Sequence, residues 1–209
     1  MPRIRAMLFL SAVSAALPAA ALAAPQTWRF DPVHTQVWFS AAHEQFSHPW
    51  GRVRIADGWF RFDADDWSTA RVDVVFDLST LDLGDADWSD SVKSSRFLDV
   101  GQWPRAHYVG SNVERTGERS GVIHGDLKLH GATVPVDVAF TLNGIGYDAY
   151  AFRQKAGFSA TATLHRSQFG ITRYPKVVGE DIDLHIEVEG VREHGAAKPS
   201  SAPGRPEQP

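Results

Sequence analysis

Between Trp28 and Val191 apolar residues recur at every second position in one short run after another. No segment there joins helical spacing to the length of a core helix. The clearest runs are Val134, Val136, Val138, Phe140, Leu142 and Ile182, Leu184, Ile186, Val188. Mostly polar residues stand between them: Asp137, Thr141, Asp183, His185, Glu187. Side chains of a strand alternate between two faces, so each run has one dry face and one wet face. A sheet of about eight such strands must close on itself or pack face to face. The class is therefore all-β, and the next question is whether the interior is full.

The runs assign the inward side chains. Strands are expected near Thr35–Ala41 (Val37 and Phe39 inward), Arg52–Phe62 (Phe60, Phe62) and Val72–Leu78 (Val74, Phe76). Others are expected near Ala106–Val113 (Tyr108), Val122–Leu129 (Leu127, Leu129) and Val134–Leu142 (Val136, Val138). Gly157–His165 (Phe158, Ala160, Ala162) and Asp181–Gly190 (Leu184) complete the set. Trp28 and Phe30 form an extended lead-in. Several inward positions are small, namely Gly110, Gly125, Ala160 and Ala162, which points to a barrel with room for a guest. Asp85–Leu98 departs from the alternation. Trp88 and Val92 have helical spacing behind an N-cap at Asp85 or Asp87, which suits a short helix across one barrel end.

The chain begins as a secretory signal. Arg3 and Arg5 precede an apolar stretch from Ala6 to Leu17, and Ala21-Leu22-Ala23 supplies a small-x-small cleavage site. Cleavage is placed after Ala23, since cutting one residue later would leave Pro25 first. The apolar stretch falls short of the ~20 residues that span a bilayer. The organisation is thus 1–23 signal peptide, 24–192 barrel and 193–209 disordered tail, with export to the periplasm. The chain has no cysteine for a disulfide or a lipid anchor. Without Arg3 and Arg5 the balance is 19 basic to 25 acidic residues, with no basic stripe, which argues against nucleic acid.

Catalytic patterns are weak. His34, His43, His48, His107, His124, His130, His165 and His185 include no HExxH pair. By alternation His124, His165 and His185 face outward, so no metal site is assigned, although His43 and His48 flank a loop. There is no GxSxG elbow, and Gly144 and Gly146 precede no helix that could cradle a phosphate. Asp63, Asp65, Asp66 and Asp181, Asp183 read as solvated charges rather than a glycosidase pair. Trp28, Trp50, Trp59, Trp88 and Trp103 sit at strand ends, loops or the helix, where an indole plugs a barrel end or guides an apolar ligand.

Six motifs in order carry a resemblance. They are Asp31-x-x-His34, Gly58-x-Phe60-x-Phe62-Asp63, Phe97-x-Asp99 with Pro104, and Gly125-x-Leu127-x-Leu129-His130-Gly131. Gly157-Phe158-Ser159-Ala160-Thr161 and Arg166-Ser167-x-Phe169-Gly170 follow. Over Trp28 to Val191 the chain resembles the YceI family. The resemblance implies an eight-stranded antiparallel, lipocalin-like barrel with a short helix at one end. It also implies a periplasmic protein holding a long apolar chain: a polyisoprenoid, an isoprenoid quinone or a fatty amide. That lipid is the only cofactor-like group implied. The His48-Pro49-Trp50-Gly51 version is similar to members encoded beside diheme b-type cytochromes that oxidise quinol, which by association implies such a membrane partner. Phe169 joins the ligand-facing set through its motif. Arg166, the motif's cation, either meets a lipid headgroup or anchors its own loop. Tyr147–Lys155 departs from the family pattern, being longer and more aromatic than the usual Gly-rich link. The reading is a lipid carrier and not an enzyme. The alternatives are an enzyme using rim His and Asp residues, or a ligand-free protein with a filled core. Ligand length, headgroup and oligomeric state, a dimer included, stay open.

Overall fold

The alternating runs become strands of one closed antiparallel sheet in the computed structural model, which describes residues 25–193. The expected signal peptide and nearly all of the expected tail lie outside the described residues. In chain order the strands are β1 (Gln26–Phe30), β2 (Gln36–His43), β3 (Trp50–Phe62) and β4 (Arg71–Asp82). After helix α1 (Ala86–Lys93) come β5 (Arg105–Arg115), β6 (Ser120–Leu129), β7 (Ala132–Asp148), β8 (Arg153–His165) and β9 (Val178–Arg192). Pairing runs β3-β2-β9-β8-β7-β6-β5-β4 and closes through β3–β4, a ring of eight. The extended lead-in is itself a strand: β1 pairs with Trp59–Phe62 of β3 and with Gly190–Arg192 of β9. It fills the gap that β2 leaves, because β2 pairs with β3 only from Val37 to Ser40.

Turns follow the residue chemistry. His130 and Gly131 both take positive φ, 50° and 80°, the two-residue reversal that suits a right-twisted hairpin. The edge of the Trp103 indole lies where a Cβ on Gly131 would stand, so a larger residue there is excluded twice. His130 Nδ1 donates to the Phe169 carbonyl at 2.8 Å, which ties this hairpin to a 3-10 turn at Arg166–Phe169.

Helix α1 starts where expected. The Asp85 carboxylate accepts the Trp88 N–H at 2.9 Å. Its one buried residue, Ser89, donates to the Asp85 carbonyl and accepts the Leu83 N–H, which fastens the helix to the end of β4. The helix ends at Lys93, earlier than the Asp85–Leu98 expectation, and Phe97 and Leu98 continue in turns.

The core has two parts. Trp28, Phe60, Phe62, Trp67, Ala70, Ala156 and Phe158 pack at the end away from the helix. The Phe158 ring meets Phe60, Phe62 and Phe140 at 5.2–5.9 Å between centroids in edge-on contacts. The larger part joins Val74, Leu78, Ala106, Tyr108, Leu127, Val136, Ala162, Leu164, Phe169 and Ile171 toward the helix end.

Candidate functional site

The inward faces enclose two apolar chambers stacked along the barrel. The far chamber, ≈ 160 Å³, is walled by Phe60, Phe62, Val74, Tyr108, Val136, Val138, Phe158 and Ala160, among others. The helix-end chamber, ≈ 220 Å³, is walled by Val37, Phe39, Leu129, Phe169 and the apolar stem of Arg166 on the barrel side. Trp88 and Val92 of α1, with Phe97 and Leu98, roof it. Phe76, Leu127, Leu164, Leu184 and Ile186 border both chambers and form a waist. The room for a guest expected from alternation is therefore divided into two chambers sharing a wall. At the helix-end rim, His43 meets Trp88 edge-on with centroids 5.6 Å apart.

Three expectations about the lining are corrected. Ala162 borders neither chamber and packs within the larger core cluster. Gly110 and Gly125 do not leave space for a guest. A Cβ on Gly110 would strike Ile123 and Val72 at 2.9 Å, and one on Gly125 would strike the Tyr108 ring at 2.7 Å. The missing side chains let neighbours close in. Tyr108 uses that room to bring its hydroxyl within 3.2 Å of the Ile123 carbonyl and 3.1 Å of the Val136 carbonyl. Burial, with Asp137 and Asp126 adding to it, pushes the phenol far above its usual range, so it stays a neutral donor.

Arg166 is only 5% exposed, and backbone surrounds its guanidinium. Nε donates to Gly179 O at 2.8 Å, Nη2 to Val178 O at 3.0 Å, and Nη1 to Ile171 O and Arg173 O at 2.7 and 2.9 Å. Four of five N–H donors thus hold the loop from Ile171 to Gly179. Of the two roles set out for this residue, this is the geometry of the loop anchor. Ser167 reinforces the junction: its hydroxyl and backbone N–H bond Glu180 and hold that carboxylate below its usual range.

Of the histidines weighed for chemistry, His43 borders the helix-end chamber, whereas three lie on the outer wall paired with carboxylates. His107 pairs with Asp73, His124 with Asp137 and His165 with Asp181, each at 2.7–2.8 Å and half exposed. Among the described residues one group has ligand atoms close enough for a metal, Asp31, His34 and Glu189. It is already balanced from within. Asp31 accepts from the His34 ring at 2.8 Å and from the Val33 N–H, and Lys155 Nζ sits 2.9 Å from Glu189.

Some lining residues escape sequence reasoning. Leu81 and Leu83 face the helix-end chamber, out of phase with Val72–Leu78. The phase breaks at Asp77, whose carboxylate accepts from Ser79 N and Oγ while Thr80 Oγ1 donates to its carbonyl. The β3–β4 register slips at the same place, with Arg54 opposite Asp77 and Arg52 opposite Asp82. The Asp77-x-Ser79-Thr80 spacing is the signal that could have revealed it.

Comparison with known proteins agrees with this architecture. The family model described as YceI-like domain matches residues 28–190. A UPF0312 protein of Pseudomonas savastanoi pv. phaseolicola is 35% identical over 192 residues, covering 89% of this chain and 99% of that protein. A UPF0312 protein of Pseudomonas putida strain W619 is 35% identical over 160 residues, covering 77% and 82%. Among solved structures, Burkholderia cenocepacia BcnA superposes with a TM-score of 0.69 at 18% identity, covering 77% of this chain and 98% of its own. A polyisoprenoid binding domain from Saccharophagus degradans, implicated in plant cell wall breakdown, gives 0.60 at 9% identity, covering 80% and 99%. At these identities the two structures attest the shared fold.

Proposed function

The chain belongs to the YceI family, and from that premise we propose that it is a periplasmic carrier holding one long apolar lipid along the barrel axis. The observation that carries this reading is the pair of stacked chambers, walled by apolar side chains and separated only by side chains at the waist. An elongated chain threading the waist fills both; a compact ligand fills one. The polyisoprenoid-binding neighbour supports the same class of ligand.

The lining also favours recognition by chain rather than by head. The Tyr108 hydroxyl and the Arg166 guanidinium are spent on backbone carbonyls. Affinity then comes from apolar burial, ~0.8 kcal/mol per methylene, and the headgroup rests at a rim. Polyprenols and isoprenoid quinones both meet that description. A quinone cargo gives a membrane quinol-oxidising b-type cytochrome a place as the donor or acceptor. A catalytic reading has less behind it: the histidines paired with carboxylates face solvent outside both chambers, and His43, which borders the helix-end chamber, packs against Trp88.

Titration with a series of polyprenols of rising length tests the reading. Affinity should climb by on the order of tenfold per two buried methylenes and then level once both chambers are filled. Affinity independent of chain length would sink it.

A further inference from the structure

The hairpin between β7 and β8 extends past the barrel wall. Pairing continues beyond Leu142–Phe158 through Gly144–Gly157 to Asp148–Arg153. Its outer stretch displays apolar side chains to water: Tyr150 is 98% exposed, Phe152 79%, Tyr147 60% and Ile145 38%. A soluble surface rarely gathers aromatics this way without a use.

The projection is braced. Lys155 Nζ bonds Asp148 at 3.0 Å and Glu189 of β9 at 2.9 Å, tying the hairpin to the wall. Asp148 also accepts the Tyr150 and Ala151 N–H groups, which shapes the tip. Those bonds, Lys155 first, hold the Asp148 carboxyl down to about 2, so the brace stays charged in ordinary buffers. The aromatics are held out rather than left loose.

Charge around the tip is mixed, but its two cations outside ion pairs point to an anionic partner. Arg153 on the hairpin donates to Ala151 O, and Arg119 at its base donates to the carbonyls of Leu142 and Asn143. Neither is within ion-pair reach of an acid among the described residues. Asp148, the hairpin's one acid, is spent on Lys155. Of the other acids of this barrel end, Glu118 stands beside Arg119 on the β5–β6 turn, whereas Asp63, Asp65 and Asp66 lie on the β3–β4 connection, across the ring from β7 and β8. The helix-end rim also shows exposed aromatics, but there Glu44 is two residues from Phe46, and Asp85 and Asp87 precede Trp88.

We propose that the β7–β8 tip is a membrane-docking element: Tyr147, Tyr150 and Phe152 enter the headgroup region of an anionic bilayer while Arg119 and Arg153 contact its phosphates. Aromatic rings favour that interface, and each cation near an anionic surface adds to the attraction until salt screens it. The inference goes beyond lipid carriage and stands without it.

Flotation of the purified protein with vesicles of phosphatidylethanolamine and phosphatidylglycerol tests this. Binding should exceed that to phosphatidylcholine vesicles and fall as salt rises. Tyr150→Ser with Phe152→Ser, and separately Arg153→Glu, should each weaken vesicle binding by on the order of tenfold. Both should leave thermal stability and isoprenoid binding in solution unchanged, while Phe46→Ser at the other end retains vesicle binding. The proposal is overturned if the tip variants bind vesicles as the native chain does, or if Phe46→Ser alone detaches. It is equally overturned if the native chain ignores anionic vesicles and needs a membrane protein.

Discussion

Replacing Arg166 by alanine will destabilise the protein by about 3–5 kcal/mol, read from chemical denaturation. The substitution removes a buried cation and withdraws its hydrogen bonds from the carbonyls of Ile171, Arg173, Val178 and Gly179. Each polar group left unpaired costs ~1–3 kcal/mol, less where water enters the vacated space. The melting temperature should fall by on the order of 10 °C. Arg166→Lys should recover only a minor part, because an ammonium cannot replace a planar fork serving four acceptors. A loss under ~1 kcal/mol together with collapsed lipid affinity would instead restore the headgroup role.

The second large effect concerns the far chamber. Ala160 lines it from β8, opposite Phe140 of β7 and Ile186 of β9 in the ladder. Ala160→Trp should put an indole into the space a ligand would take, displacing four or so methylenes' worth of contact. The expected loss is about 3 kcal/mol of binding, over a hundredfold. Stability should fall by only ~1–3 kcal/mol, because the ring enters existing free volume. Ala162→Trp supplies the contrast. That side chain borders neither chamber and packs in the core cluster, so the same enlargement should cost more stability than at Ala160. If Ala160→Trp is the variant that unfolds with no ligand present, the interior is already full.

The difference between these two alanines shows where alternation stops informing. Period two placed both on the inner face correctly, since both are buried. It carries no information on what lies across the barrel, where Ala160 meets free volume and Ala162 meets packed side chains. The same limit governs the glycines: Gly110 and Gly125 were legible as small inward positions, but Ile123 and Tyr108 take their space. The strands themselves were legible because each pairs a dry face with a wet one, as Val136 with Asp137 or Leu184 with His185 do. The helix of the roof was legible in the spacing of Trp88 and Val92 behind Asp85, but the rest of that end was not. Phe97, Ile171 and Val178 reach the chamber from turns and a strand end, where no period exists to read. Arg166 was singled out by its motif, yet its partners are backbone carbonyls, which leave no complementary charge in the sequence.

Native mass spectrometry of the protein taken from its own cells by osmotic shock, followed by solvent extraction, bears most directly on the account. The expected spectrum shows a chain beginning at Ala24 with one long apolar lipid bound, and the extracted lipid is chemically identical to that of the membrane. An empty barrel, a compact polar ligand or a chemically altered lipid would contradict it.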